Sequence, residues 1–402
     1  MEIKNKLTLK IPFNILFIFP VLFLLAFLAI LCLRLNSAKE ENLALQKQTT
    51  NLQTQKVDLG KQLQTVQVEV EALKNEDQRV KNKKLEEEIK NIQETYKKAV
   101  NGYENLLDLK DKTQKTEKLD NLFSQALNQL SQRNYASASS TLASLDTQIK
   151  QETEKLAAAV TIPANIPEKN TPPSSGYSRQ KVSVGGTVYL IDIISADLNS
   201  TRVIVDTASD SDCKNDCPVL ALSDYVARNG AFAGVNGSYF CPATYPQCAD
   251  KKNSFDTLLM NKNKRYFNSD NNVYSTVPAA IFYGNTARFV TQSLEWGRDT
   301  GVDAVIANQP LLILNRQIRF TGGDDPKQGS KGNRSFIANT GNTVYIGVVR
   351  NATVAESAQV LNVLGIDNAL NLDDGGSTAL WFGGYKAGPG RNLPNAVLLV
   401  RK

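Results

Sequence analysis

The residues best suited to chemistry lie in Ala369–Leu380, which reads ALNLDDGGSTAL. An apolar, strand-like run delivers two adjacent carboxylates, Asp373 and Asp374. Two glycines and two hydroxyls follow at once: Gly375, Gly376, Ser377 and Thr378. Glycines at a strand end let a ligand approach the main chain closely, and loops between rigid strands often carry binding groups. A hairpin turn is the structural alternative, because Asp-Gly is a common hairpin signal.

The lack of histidine limits the catalytic and metal-binding groups that the chain can use. With no histidine in 402 residues, the chain cannot form a Ser-His-Asp triad, a Cys-His pair or a histidine-ligated zinc site. Catalysis must use carboxylates, arginine, lysine, tyrosine, hydroxyls or backbone amides. The pairs Asp324-Asp325 and Asp373-Asp374 suit a hard cation such as Ca²⁺, but no loop of recognised spacing is present. The sequence therefore predicts no particular metal and no cofactor.

Four of the five cysteines cluster within one short segment, as Cys213-x3-Cys217 and Cys241-x6-Cys248. In an exported domain, such an even set predicts two disulfides. Zinc is the alternative, although the second spacing is wide and no histidine completes a mixed ligand set. The spacing does not decide which cysteine pairs with which.

Residues 182–402 must position these side chains, and their pattern of strand-like and helix-like segments predicts an α+β domain built on a mixed sheet. Strand-like runs are predicted at Thr187–Ile193, Thr201–Thr207, Ala231–Asn236, Arg334–Asn339 and Thr343–Val349. Ser223 is the predicted N-cap of a helix that ends at Asn229-Gly230. A second helix is predicted to begin at the capping box Thr353-x-x-Glu356 and to run to Gly365.

The N-terminal sequence predicts that the rest of the chain is exported across a membrane. Residues 1–10 form a predicted cytoplasmic tail and residues 11–35 a transmembrane anchor, since 15–33 carry no charge and a bilayer needs roughly 20 apolar residues. Three lysines precede this run, so the N-terminus should stay in the cytoplasm and the rest of the chain should lie outside it. A cleaved signal peptide is the alternative, but its apolar core is usually shorter.

Between the predicted anchor and the last domain, three segments are distinguished. Residues 40–112 predict a coiled coil, and hence a homo-oligomer, because apolar residues recur every seven positions at Leu45, Leu52, Leu59, Val66, Leu73 and Val80. A single solvated helix is the alternative. Residues 117–158 predict a helical hairpin, and 159–181 a proline-rich linker. The net charge of +6 is not gathered into one block, so no nucleic-acid partner is expected.

Five short motifs follow one another along 182–402: NGSYF (236–240), ANQPLL (307–312), NRSFIA (333–338), LDDGGST (372–378) and RNLPNA (391–396). In this order they resemble the phosphodiester glycosidase family, whose pattern is roughly N-G-G-F-F, Q-x-G-P-x-L, R-T-A-I-G, L-D-G-G-G-S-S and R-x-V-x-N-A. The chain departs from the pattern at Ser238, Asn308, Ala338 and Asp374. Asp374 replaces a glycine and adds a carboxylate, which fits either a second acid/base group or an altered chemistry.

The resemblance implies hydrolysis of a sugar-1-phosphodiester, and the predicted membrane anchor points to cell-envelope or extracellular glycans as the substrate. It assigns Asp373 to activating water or stabilising an oxocarbenium ion, with Asp374 beside it. Arg334 is the first candidate to hold the phosphodiester and Arg391 the second. The remaining predicted substrate-binding residues are Asn236, Gly237, Gly375, Gly376 and Ser377.

Two further hypotheses come from other functional classes. In the first, the last domain binds glycans without cleaving them and acts as an envelope scaffold on a coiled-coil stalk. In the second, the chain is an assembly protein whose main role lies in the rod. The substitution at Asp374 favours the binding hypothesis, whereas the retained Asn236, Arg334 and Asp373 favour hydrolysis.

Overall fold

The computed structural model describes residues 18–75, 77–159, 162–268 and 275–402. The predicted cytoplasmic tail and the first residues of the predicted anchor lie outside these ranges. The chain divides into two compact units, with the boundary between Lys90 and Asn91.

The described part of the first unit is helical. Helix α1 spans Ile18–Asn75 and helix α2 spans Asp77–Lys110, so α2 continues into the second unit. The apolar residues of the predicted seven-residue repeat are all exposed: Leu45, Leu52, Leu59, Val66, Leu73 and Val80. The helices are therefore present, whereas pairing into a coiled coil is not shown. Within the described ranges, no helix combines the length and apolar character needed to cross a membrane.

The second unit begins with a helical subdomain. The end of α2 packs with helices α3 (Glu117–Ser131) and α4 (Tyr135–Ala158). Asn134 starts α4 by accepting a hydrogen bond from the Ser137 N–H at 3.2 Å, a side-chain cap that satisfies a free helix donor. The core is apolar along all three helices: Ala99, Leu106, Leu109, Leu119, Ala126, Leu130, Ala138, Leu142, Leu145 and Ile149.

Within the described residues, the rest of the second unit is mainly β-structure with three short α-helices. The helices are α5 (Leu222–Asn229), α6 (Pro326–Gly329) and α7 (Val354–Val363). The strands are β1 (Gly176–Val184), β2 (Thr187–Asp197), β3 (Thr201–Thr207), β4 (Ala233–Asn236), β5 (Leu259–Met260), β6 (Tyr266–Phe267), β7 (Ala279–Tyr283), β8 (Thr286–Val290), β9 (Ala304–Ala307), β10 (Leu311–Leu314), β11 (Gln317–Ile318), β12 (Gly332–Thr340), β13 (Thr343–Ala352), β14 (Asn368–Asn371), β15 (Leu380–Phe382), β16 (Tyr385–Ala387) and β17 (Asn395–Arg401).

These strands form three sheets. The largest has seven strands in the order β1-β2-β13-β12-β14-β10-β11. The other two have five strands each, in the orders β16-β15-β4-β17-β3 and β6-β5-β9-β7-β8. Apolar side chains from all three sheets share one core, and α7 covers the opposite face of the large sheet. Burial on both faces explains why residues 189–196 of β2 are continuously buried rather than alternating, and the one charged residue among them, Asp192, is paired with Arg179 and Arg350.

The predicted mixed sheet is wrong: all pairings between the strands named above are antiparallel. Helix α7 does connect two strands that run in the same direction, β13 and β14. However, β12 lies between them and pairs antiparallel with both. A strand–helix–strand pattern in sequence predicts parallel neighbours, and it cannot reveal a third strand inserted between them.

Local sequence signals predict some element boundaries correctly and others wrongly. Strand β3 has the predicted bounds, and the capping box of α7 is present, with the Thr353 Oγ1 accepting from the Glu356 N–H at 3.1 Å. Ser223 is not the N-cap of α5, because the helix begins at Leu222 after Ala221. The Ser223 N–H instead donates to the Tyr385 hydroxyl at 3.2 Å.

The two predicted disulfides are confirmed. Cys213 pairs with Cys217, and Cys241 pairs with Cys248. Each bridge closes a short loop within the second unit. The loop between Cys241 and Cys248 also carries Tyr245 and Gln247, whose side chains contact the end of α2.

We expect the double substitution Cys241→Ser/Cys248→Ser to lower the free energy of unfolding by about 2–3 kcal/mol, because an open loop gains entropy mainly in the unfolded chain. The measurement is urea unfolding followed by tryptophan fluorescence, since both tryptophans, Trp296 and Trp381, lie in this part of the chain. Cys213→Ser/Cys217→Ser is the matched control and should cost slightly less, because its loop is shorter. An unchanged midpoint in the first variant would contradict the prediction.

Candidate active site

Antiparallel pairing brings the motif residues to one edge of two sheets. Strand β4 ends at Asn236 and strand β14 ends at Asn371. Their antiparallel partners β17 and β12 begin at Asn395 and Gly332, at the same edge. The polar residues just beyond these strand ends therefore converge, although they are far apart in sequence.

Asn236 joins the two sheets at this edge. Its Nδ2 donates to the Asp373 carbonyl at 2.6 Å, and its Oδ1 accepts from the Ser335 hydroxyl at 2.8 Å and from the Ala379 N–H at 3.1 Å. The Asp373 N–H in turn donates to the Gly237 carbonyl at 2.9 Å. The buried amide of Asn236 thus holds the loop that carries Asp373, and its predicted contact with substrate stays a prediction.

Asp374 forms a buried ion pair with Arg334. Arg334 NH1 lies 3.2 Å from Asp374 Oδ2, and the two side chains are only 7% and 9% exposed. Asp374 also accepts hydrogen bonds from the Ser335 N–H at 2.9 Å and from Asn371 Nδ2 at 3.0 Å. Burial raises the pKa of Asp374, whereas the Arg334 charge opposes that shift.

The other donors of Arg334 contact backbone carbonyls. Its Nε donates to the Ala352 carbonyl at 3.0 Å, and its NH2 donates to the carbonyls of Lys327 (2.9 Å) and Ser330. The guanidinium is therefore already surrounded by acceptors of the protein. Its predicted role on the phosphodiester stays a prediction, and these contacts favour a structural role.

Asp373 has a different environment from its neighbour. Its Oδ1 accepts from the Asp374 N–H at 2.9 Å. Burial raises the pKa of Asp373 to about 7, although the hydrogen bond from Ser377 and the positive charge of Arg391 pull it down. A carboxyl group with this pKa can accept or donate a proton near neutral pH.

Arg391 lies beside the turn that carries Asp373. Its backbone N–H donates to the Gly376 carbonyl at 2.8 Å. Its guanidinium packs so closely on Gly376 that an added Cβ would overlap NH2. The side chain is 22% exposed, so Arg391 is more accessible than Arg334.

The predicted glycines have clear steric reasons to be there. A Cβ at Gly237 would overlap the side-chain oxygen of Asn395. Gly375 has a φ of +61°, a backbone conformation that residues with a Cβ rarely adopt. Ser377 is buried in the same turn, and its N–H donates to the Asp374 carbonyl at 3.2 Å.

Several site residues were not assigned a role from the sequence. Tyr239 and Asn371 contact each other at 3.0 Å, and the Asn308 Oδ1 accepts from the Tyr239 N–H at 3.0 Å. Tyr239 and Asn308 lie inside the motifs NGSYF and ANQPLL, so the motifs themselves indicate that these two residues belong to the site. The helical subdomain also contributes Asp108 and Asp111, for which the sequence held no signal.

The carboxylates do not form a metal site within the described ranges: no group of three or more metal-ligating side chains occurs there. Asp325 instead caps α6, with its Oδ1 accepting from the Lys327 N–H at 2.9 Å. Asp374 forms an ion pair with Arg334. The structure therefore gives no support to Ca²⁺ at either aspartate pair.

The raised pKa of Asp373 predicts a pH-dependent contribution to stability. The folded state holds the proton more tightly than the unfolded chain, so this contribution is complete below about pH 4. It is lost as the pH rises through about 7, where the buried carboxyl must ionise. Asp373→Asn removes that ionisation. We expect its melting temperature relative to the parent to rise between pH 4.5 and 8.5.

Thermal unfolding of both proteins across this pH range provides the measurement. The exposed Asp250→Asn is the matched control, because it makes the same substitution at an exposed position outside the candidate site. A flat difference for Asp373→Asn would show that its carboxyl titrates normally.

The buried ion pair predicts that Asp374→Gly is destabilising, although it restores the residue of the family pattern. The substitution leaves the Arg334 charge buried without its counter-ion, which typically costs about 3–5 kcal/mol. Urea unfolding measures the loss. The double variant Asp374→Gly/Arg334→Met removes both charges and should recover part of the stability. Equal stability of parent and Asp374→Gly would exclude an energetic role for the pair.

Comparison with known proteins identifies the family that this domain resembles. Residues 229–400 match the sequence profile of the phosphodiester glycosidase family. No curated protein sequence matches the chain.

Among solved structures, the catalytic domain of zebrafish N-acetylglucosamine-1-phosphodiester alpha-N-acetylglucosaminidase, auto-inhibited by its pro-peptide, is 12% identical with a TM-score of 0.43, covering 59% of this chain and 87% of that one. A protein from Synechocystis is also 12% identical with a TM-score of 0.41, and the match spans 56% of this chain and 62% of that one. The resemblance predicted from the motifs is thus confirmed by the family profile: residues 229–400 form a phosphodiester glycosidase-like domain.

Proposed function

We propose that the C-terminal domain is a hydrolase that cleaves the bond between a sugar and a phosphodiester. The observation that carries this proposal is Asp373, a carboxyl group with a pKa of about 7, held beside Arg391 in a domain that matches the phosphodiester glycosidase profile. The match to the family supplies the substrate class. The residues supply an acid/base group and a cation at one turn.

The proposed step is attack of water on the anomeric carbon. Ionised Asp373 accepts a proton from the water as the new carbon–oxygen bond forms. The bond between the anomeric carbon and the phosphate oxygen breaks, and its electron pair leaves with the phosphate as a monoester. Because phosphate is a good leaving group, less acid assistance is needed than for an ordinary glycoside. Asp373 then returns the proton to the solvent.

Arg391 is the better candidate to bind the phosphodiester anion. A guanidinium matches two phosphate oxygens in planar geometry. Arg391 lies against Gly376 of the Asp373 turn and is partly exposed, whereas the donors of Arg334 contact Asp374 and backbone carbonyls. We therefore assign the anion to Arg391 and the fixing of Asp374 to Arg334.

A non-catalytic glycan-binding domain is the second candidate. One observation favours it: Asp374 stands where the family pattern has glycine, and its charge neutralises Arg334. A domain that had lost catalysis would keep the pocket and bind sugar phosphodiesters without turning them over. This candidate predicts binding with no hydrolysis by the parent protein.

The N-terminal features extend the proposal to the cell envelope. We propose that the charge-free run at 15–33 anchors the chain in the membrane and that the C-terminal domain lies outside the cytoplasm. The apolar side chains at 23–35 are exposed, so they are available to contact lipid. The exposed seven-residue apolar repeat on α1 and α2 supports association with a second copy of the chain.

Asp373→Asn should lower turnover by about 10²–10⁴, the usual contribution of a positioned acid or base, while leaving ligand binding largely intact. The test measures hydrolysis of a UDP-sugar and of a sugar-1-phosphodiester by the purified protein. Asp250→Asn is the matched control and should retain parental turnover. Near-parental turnover of Asp373→Asn would reject the assignment, and a parent that binds both compounds without cleaving them would favour the binding domain.

A further inference from the structure

The end of helix α2 presents three acidic residues to the loops around the candidate site. Glu104 Oε2 accepts from Gln247 Nε2 at 2.9 Å, and Asp108 Oδ1 accepts from the Tyr245 hydroxyl at 2.5 Å. Asp111 follows directly after the helix. These residues are spaced by four and three positions, so they share one side of the helix end.

Asp111 reaches the cation that the proposed mechanism needs. Arg391 NH2 donates to Asp111 Oδ2 at 3.2 Å, and Asp108 Oδ1 lies 3.9 Å from the same nitrogen. Both Arg391 NH2 and Asp111 Oδ2 would overlap a Cβ added to Gly376. The carboxylate of Asp111 therefore lies over the turn that carries Asp373.

The helix end is held in place by contacts with separate loops of the domain. Tyr245 and Gln247 belong to the loop closed by the Cys241–Cys248 disulfide. Lys327, in α6, lies 3.5 Å from Glu104 Oε2. Because these contacts fix the helix, Asp111 is delivered to Arg391 by a structured element rather than by a free tail.

We propose that Asp111 acts as an internal anion on Arg391, which an anionic ligand must displace in order to bind the same guanidinium. A carboxylate and a phosphodiester both present anionic oxygens to a guanidinium. An anionic ligand can replace Asp111 without leaving Arg391 unpaired. A neutral glycoside does not compete for the guanidinium, so the pair between Asp111 and Arg391 can stay in place when it binds.

This inference rests on the proposed function for the class of ligand, but its test measures affinity rather than turnover. Asp111→Asn keeps the shape of the side chain and removes its charge. It should bind an anionic phosphodiester more tightly, because the ligand no longer competes with the carboxylate. Since the Asp111 side chain is 52% exposed, solvent screens the pair and the expected gain is about 3- to 10-fold. Affinity for a neutral glycoside should stay unchanged.

The experiment measures the binding of bis(p-nitrophenyl) phosphate and of neutral p-nitrophenyl glucoside to the full chain by ligand-observed NMR. Glu117→Gln removes the same charge from an exposed position in the first turn of α3, and it should bind both probes as the parent does. Asp111→Glu retains the charge and should also resemble the parent. The diagnostic quantity is the ratio of the two affinities, which loss of structure alone would not raise.

Unchanged or weaker binding of the phosphodiester by Asp111→Asn would overturn the inference, as would absence of phosphodiester binding by both proteins. Parallel hydrolysis assays separate the two proposals. A gain in anion affinity in a protein that cleaves no sugar phosphodiester would sustain the role of Asp111 and reject the hydrolase. Hydrolysis by the parent without such a gain would support the hydrolase and reject the role of Asp111.

Discussion

The buried ion pair between Arg334 and Asp374 is the interaction on which the candidate site depends. Two charges removed from water are tolerated only when their remaining hydrogen-bonding capacity is also satisfied. Here Asp374 accepts from the Ser335 N–H and from Asn371, while Arg334 donates to the carbonyls of Ala352 and Lys327. The pair therefore ties the start of β12, the end of β13, the short helix α6 and the loop after β14 to one another. A loop fixed in this way can hold its other carboxylate, Asp373, in one place.

Adjacent carboxylates of identical chemistry differ here because their partners differ. Asp374 has a counter-ion in direct contact, so its charge is compensated where it is buried. Asp373 has the hydrogen bond of Ser377 and the field of Arg391, which do not offset burial, and its pKa rises to about 7. Burial raises the pKa of both carboxyl groups, and the direct counter-ion of Asp374 separates its environment from that of Asp373. In a chain without histidine, this separation supplies a group that titrates near neutral pH.

The sequence predicted what local chemistry controls. The capping box of α7, strand β3 and the clustering of the disulfide cysteines are encoded by neighbours in the chain. The motifs also contain Asp373 and Arg391, which the structure brings to one turn, whereas their predicted roles stay predictions. Sequence reasoning failed where the answer depended on distant partners. The sequence pattern does not show that β12 lies between β13 and β14. It also does not show that Arg334 pairs with a carboxylate 40 positions later. The contact between Asp111 and Arg391 spans 280 positions and connects a helical subdomain to a β-domain loop, so no motif recorded it.

The helical subdomain changes the charge that a ligand meets at the site. Arg334 is neutralised by Asp374, so Arg391 carries the positive charge available beside Asp373. Asp108 and Asp111 bring negative charge to that same guanidinium from the end of α2. Ionising Asp373 would add a further negative charge near Arg391. The helical subdomain thus supplies two of the charges that surround the Arg391 guanidinium, which makes it a part of the candidate site rather than a spacer preceding it.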